Sequence, residues 1–154
     1  DFDIEVAKKK DASNPVYYVQ YAHARICSLL RKAASEEDAR AAEEGTLSME
    51  ELAAKLAPAD VDLSPLTADA ELALMRKMAD FEEFIDLAAR DRAPFRLTHY
   101  AQDLAALFHQ FYTECRVIGV EPEVQRARLA LADAARIVLA LTLNLLGVSA
   151  PVKM

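Results

Sequence analysis

Apolar residues recur along this chain at intervals of three and four, and no segment alternates with period two, so its elements are expected to be helices that bury one face. The first long run follows Asn14-Pro15, a capping residue ahead of a proline at the first helical position. It is expected to continue to about Arg40–Glu44, where Gly45 stops it. Ser48-Met49-Glu50-Glu51 has the form of a capping box and opens a short helix to about Ala57. Two prolines and the lack of any period make residues 57–65 a loop. From Thr67, a cap residue, the positions Ala70, Leu74, Met78, Phe81, Ile85 and Ala88 mark a helix to about Arg90. Pro94 introduces another, with Leu97, Ala101, Leu104, Phe108, Phe111 and Cys115 as its stripe, which ends near Gly119. Pro122 starts the last, whose stripe runs from Val124 to Leu145 before Gly147 and Pro151 stop it. The pattern predicts an all-α bundle of four main helices plus one or two short ones over residues 14–154, with residues 1–13 belonging to a neighbouring region.

Composition supports helices and removes several function classes. Of 154 residues 53% are apolar, and the three glycines, at 45, 119 and 147, leave neither phosphate-cradling loop, GxGxxG or GxxxxGK[ST]. Cys27 and Cys115 lie far apart with no CxxC pair, which reads as reduced, buried thiols in a cytoplasmic protein. There is no charged-then-apolar leader and no apolar run near the ~18 residues a membrane span needs. The opening Asp1-Phe2-Asp3, without an initiator Met, suggests a piece of something longer.

Charge changes the picture in one respect. A net −7 is the wrong sign for coating a polyanion, so any nucleic acid must bind at a local site. Much of the acid lies in Glu36–Glu51, where seven carboxylates face the single base Arg40. That stretch reads as a solvated face turned away from any such ligand.

The helix after Pro15 carries the most informative chemistry. At about 100° per residue, Val16, Val19, Ala22, Ile26, Leu29, Leu30 and Ala33 form a core arc, and Tyr18, Tyr21, Arg25, Ser28 and Lys32 form a separate arc beside it. Two tyrosines a turn apart, continued by two cations, supply the stacking faces and phosphate charge that unpaired RNA requires. The same spacing also fits tyrosines at the edge of a core with their hydroxyls in water, and the arc alone does not separate the two. His23, near the apolar face, reads as a satisfied structural histidine. Phe108, His109, Phe111 and Tyr112 form an aromatic cluster of core type from which Tyr112 and His109 can reach a surface. Arg128 is flanked by alanine and leucine and should have a packed partner, and Asp133 with Arg136 is a candidate helix ion pair. No nucleophile stands beside an ordering His, and no Glu-x-x-His pair suits a metal, so neither a self-contained enzyme nor a metal site is expected.

The run Asn14-Pro15-Val16-Tyr17-Tyr18-Val19-Gln20-Tyr21-Ala22-His23-Ala24-Arg25-Ile26 resembles the opening signature of the C-terminal anticodon-binding domain, DALR type, of arginyl-tRNA synthetases. Asp103–Tyr112, Arg126–Arg136 and the ending Leu145–Met154 are similar to further segments of that family, in its order and roughly its spacing. The resemblance implies a parent that is a class I synthetase activating arginine with ATP, with its ATP, magnesium and arginine sites in a missing N-terminal catalytic domain. This chain has no HIGH-type or KMSK-type motif. Residues 1–13 would then be the tail of the catalytic region and residues 14–154 the anticodon-binding domain. The implied partners are arginine tRNA and the missing catalytic domain, with no DNA and no membrane.

By similarity, Tyr18 and Tyr21 stand where aromatic rings pack against anticodon-loop nucleotides, and Met154 where the terminal residue approaches the same loop. Arg25 and Lys32 come from the helical arc alone. Lys153 stands where the family often has Arg, which exchanges a bidentate phosphate contact for a point charge. An acidic helical protein–protein interaction module is the alternative that the −7 charge and the Ala/Leu stripes also fit.

Overall fold

The computed structural model describes residues 4–9, 11 and 13–154, and among them it is all helical, with no strand. Eight helices follow one another: α1 (Ile4–Lys8), α2 (Pro15–Ala33), α3 (Glu36–Glu44), α4 (Met49–Leu56), α5 (Asp69–Ala79), α6 (Phe81–Arg90), α7 (Phe95–Glu114) and α8 (Pro122–Leu145). Of the opening stretch, Phe2, Asp3 and Lys10 lie outside the described residues. The long helices α2, α7 and α8 pack on one another. α4 closes one side against α2 and α8, and α5 closes another against α7 and α8. Ile26 and Leu30 from α2, Leu104 and Phe108 from α7, and Leu139 from α8 are completely buried at their junction. Each such side chain contributes roughly 1.5–3 kcal/mol by leaving water.

Local chemistry sets the ends. The Asn14 side chain accepts from the amides of Val16 (3.1 Å) and Tyr17 (3.5 Å), which starts α2 as the sequence predicts. Ser48 and Glu51 form the expected capping box on α4, at 3.1 and 2.8 Å. Gly45, with φ of 77°, ends α3 in the left-handed conformation that glycine adopts without strain.

Two expected helices are each broken in two. The run predicted from Pro15 to about Glu44 stops at Ala33, because Ser35 Oγ accepts from the Asp38 amide (3.2 Å) and starts a new helix whose first turn is Glu36-Glu37-Asp38. Three carboxylates at a helix N-terminus favour that restart over continuation. The run predicted from Thr67 to Arg90 begins instead at Asp69, with the Glu71 carboxylate accepting from the Ala68 amide (2.8 Å). It then kinks at Asp80. Beside the kink, the Tyr100 hydroxyl, reaching across from α7, donates to the Lys77 carbonyl in the last turn of α5 (2.8 Å). Phe81 and Phe84 pack their rings on Tyr100, with centroids at 5.4 and 5.0 Å.

Beyond α8 the chain reverses. The Gly147 amide donates to Asn144 and the Val148 amide to Leu143, the paired bonds of a Schellman turn, with Gly147 at φ 72°. Residues 149–154 then run back over α2. Gln20 Nε2 donates to the Ser149 carbonyl (2.9 Å), His23 Nδ1 lies 2.8 Å from the Pro151 carbonyl, and Arg31 Nη2 donates to the Val152 carbonyl (3.1 Å).

Candidate nucleic-acid interface

Burial sorts the side chains of α2 much as its periodicity does. Val19, Ala22, Ile26, Leu29 and Leu30 are in the core, Tyr18 and Arg25 are half-buried, and Tyr21 and Lys32 are exposed. Val16, expected in the core arc, is 44% exposed in the helix's first turn.

The arc of Tyr18, Tyr21 and Arg25 meets one face of α7. The His109 ring lies against both tyrosines, with centroids 5.3 Å from Tyr18 and 5.9 Å from Tyr21. Arg25 sets its guanidinium 4.6 Å above the Tyr112 ring and donates to the Tyr21 hydroxyl (3.1 Å). Phe108 and Phe111, from the same aromatic cluster, are fully buried beneath. Burial, and then the Arg25 charge, lower the His109 pKa, so this ring is neutral at pH 7 and adds an uncharged flat face. Burial also raises the Tyr18 pKa, which keeps its phenol protonated.

Two depressions adjoin here and share Tyr21, Arg25 and Tyr112. One, of about 360 Å³, is completed by Tyr18 and His109. The other, of about 610 Å³, is a groove that reaches Lys32, Lys153 and Met154. The five residues expected to form the site are therefore brought together, with Tyr18 in the smaller depression and Arg25, Tyr21, Lys32 and Met154 along the groove. The groove's cationic side chains are Arg25, Arg31, Lys32 and Lys153, and among the described residues Glu43 is the one carboxylate side chain lining it. A chain of net charge −7 thus carries a locally positive, aromatic surface.

Sequence reasoning left Arg31, His109 and Tyr112 out of the site. The aromatic pair was visible as His109 and Tyr112 three residues apart, but its placement opposite Tyr18 and Tyr21 depends on how two helices pair, which spacing within one helix does not give.

The other readings made from single residues also find their partners. His23 is 2% exposed and faces the Pro151 carbonyl, so its Nδ1 carries the proton. Burial lowers its pKa. Both cysteines are buried, and desolvation raises the Cys27 thiol to about 11. Arg128 pairs with Glu71 (2.6 Å), and Arg136 with both Asp133 (2.7 Å) and Glu50 (3.0 Å). Among the described residues there is no group of three His, Cys, Asp or Glu placed to hold a metal ion, and no helix is long and apolar enough to cross a membrane.

Comparison with known proteins agrees over the whole chain. An arginine–tRNA ligase of Dehalococcoides mccartyi is 49% identical over 154 residues, which is 100% of this chain and 24% of the relative. One of Heliobacterium modesticaldum is 48% identical, with 100% of this chain and 25% of the relative covered. The Thermus thermophilus arginyl-tRNA synthetase structure superposes with a TM-score of 0.73 at 30% identity, over 100% of this chain and 23% of that one. The chain thus spans about a quarter of the length of the relatives it matches. The model of the DALR anticodon binding domain matches residues 19–154, and the chain belongs to that family.

Proposed function

We propose that this chain is the anticodon-reading domain of an arginine–tRNA ligase, and that it holds unpaired anticodon-loop nucleotides in the groove between α2, α7 and the tail. The observation that carries this reading is the convergence of Tyr18, Tyr21, His109 and Tyr112 with Arg25, Lys32 and Lys153 in an otherwise acidic molecule. Splayed bases offer π-faces to the rings, and the loop's phosphates meet the cations. The aromatic residues act without covalent chemistry, each stacked base contributing about 1–3 kcal/mol. Met154, 51% exposed at the groove wall, adds an apolar contact. In the parent, residues 1–13 are the end of the catalytic region, and ATP, magnesium and arginine bind in that region. The whole works in the cytoplasm on arginine tRNA.

The test is a titration with the anticodon stem-loop of an arginine tRNA and with a stem-loop of altered anticodon, each at two salt concentrations. Cognate preference is expected. Tyr18→Ala and Tyr21→Ala should each weaken it by about 10- to 100-fold while leaving helicity and melting nearly unchanged. Equal binding of both loops, or melting of the bundle with binding per folded molecule intact, would return the tyrosines to the core edge and favour a protein-binding module.

A further inference from the structure

Two rows of side chains on α2 do different things. Tyr18, Tyr21, Arg25 and Lys32 face the depressions, whereas Gln20, His23 and Arg31 meet carbonyls of the tail, Arg31 from the edge of the groove it also lines. At 100° per residue the second row lies roughly 140° around the helix from the first. Between them, on the outward side of α2, sits Ala24. It is only 7% exposed and lines the groove together with Lys153 and Met154, so a small side chain stands where the two rows and the end of the tail come near one another.

We propose that Gln20, His23 and Arg31 are positioning residues of the RNA interface, which hold residues 149–152 along α2 so that Lys153 and Met154 form a wall of the groove opposite Tyr112. The inference rests on the reading of the groove as an RNA site. Three features support it. The Schellman turn at Gly147 aims the chain back along α2. Residues 149–154 form no helix or strand, and what fixes them is side-chain donors meeting the carbonyls of 149, 151 and 152. Arg31 also reaches the Met49 sulfur (3.8 Å), so its guanidinium is anchored from a second helix while it holds Val152. A segment outside helix and strand with no partners would be mobile, and ordering it on binding would reduce affinity. Prior fixation removes that cost.

The test compares four forms of the chain: unaltered, Gln20→Ala/His23→Leu, truncated after Val148, and truncated with both substitutions. Gln20→Ala alone and His23→Gln, which keeps an N–H donor, serve as milder variants should His23→Leu disturb packing. Backbone NMR order parameters of Ala150, Val152 and Lys153 are expected to fall from about 0.85 to below 0.6 in the doubly substituted full chain, with those of α7 and α8 unchanged. Affinity for the cognate stem-loop is expected to fall about five- to tenfold in that chain, with partial recovery in His23→Gln. The same substitutions in the truncated chain should change nothing further. An equal loss with and without the tail, or an unchanged tail order, overturns the proposal. Absence of cognate preference in the unaltered chain is a failure of the RNA reading; ordered tail residues would then show a fastening only, and the positioning role falls with it.

Discussion

Arg128 and Arg25 are both partly covered arginines on long helices, and they are used in opposite ways. At the junction of α5 and α8, Arg128 Nε meets Glu71 at 2.6 Å and its Nη1 donates to the Arg116 carbonyl at 2.6 Å. The Glu71 side chain is 1% exposed, and its other oxygen caps α5. Every charge there is matched by a charge or a carbonyl, and nothing is left to attract a ligand. At the groove, Arg25 has no carboxylate within ion-pair distance among the described residues. Its neighbours are a phenol oxygen and the face of an aromatic ring. Those partners fix where the guanidinium sits without neutralising it. The difference explains how a chain of net charge −7 can present a cationic site: what counts is which cations lack an opposing carboxylate.

Removing each arginine breaks the comparison in its own place. Arg128→Met strands the buried Glu71 carboxylate and should cost about 3–5 kcal/mol, seen as a fall of roughly 6–20 °C in the melting temperature. Stem-loop affinity per folded molecule should stay constant. Arg25→Met should do the reverse. Stability should stay within about 0.5 kcal/mol, while affinity drops about tenfold and the slope of log affinity against log salt becomes shallower by about 0.7, the value for one phosphate contact to a single strand. Loss of stability in Arg25→Met without loss of binding would mean that both arginines are structural.

A smaller effect sharpens the contrast through pH. Burial lowers the pKa of both His23 and His109, so each is more easily protonated in the unfolded chain than in the bundle. Their contribution to stability is fully present above about pH 6.5 and is lost as pH falls from there towards their folded values. The urea midpoint should therefore decline between pH 7.5 and pH 5, above the range where carboxylates titrate. A His23→Gln/His109→Gln variant should show a flatter profile.

Helix starts were the most legible part of the fold. Asn14-Pro15, Ser48 with Glu51, and Pro122 each act within a few residues of themselves, so the local sequence contains the whole cause. Ser35-Glu36-Glu37-Asp38 was equally local, but Gly45 reads as the stop of the whole run and conceals the restart ahead of it. The break at Asp80 has a weaker local cause, an aspartate ahead of Glu82-Glu83 whose side chain makes no capping bond, and the Tyr100 hydroxyl and ring that pack beside it come from 20 residues on. The site divides in the same way. Tyr18, Tyr21, Arg25 and Lys32 share one helix and its period places them together, whereas His109, Tyr112 and the tail enter only when α7 and α8 are docked. Met154 was reached by resemblance alone, because a residue so far along the chain gives no spacing that points to α2.

The turn at Gly147 makes the distance along the tail a measured quantity. Side chains of α2 meet the carbonyls of residues 149, 151 and 152, so one residue inserted between Val148 and Pro151 would put Lys153 out of register with them. The final segment behaves as a ruler whose zero is the glycine, and its count of residues is as much a part of the design as their identities.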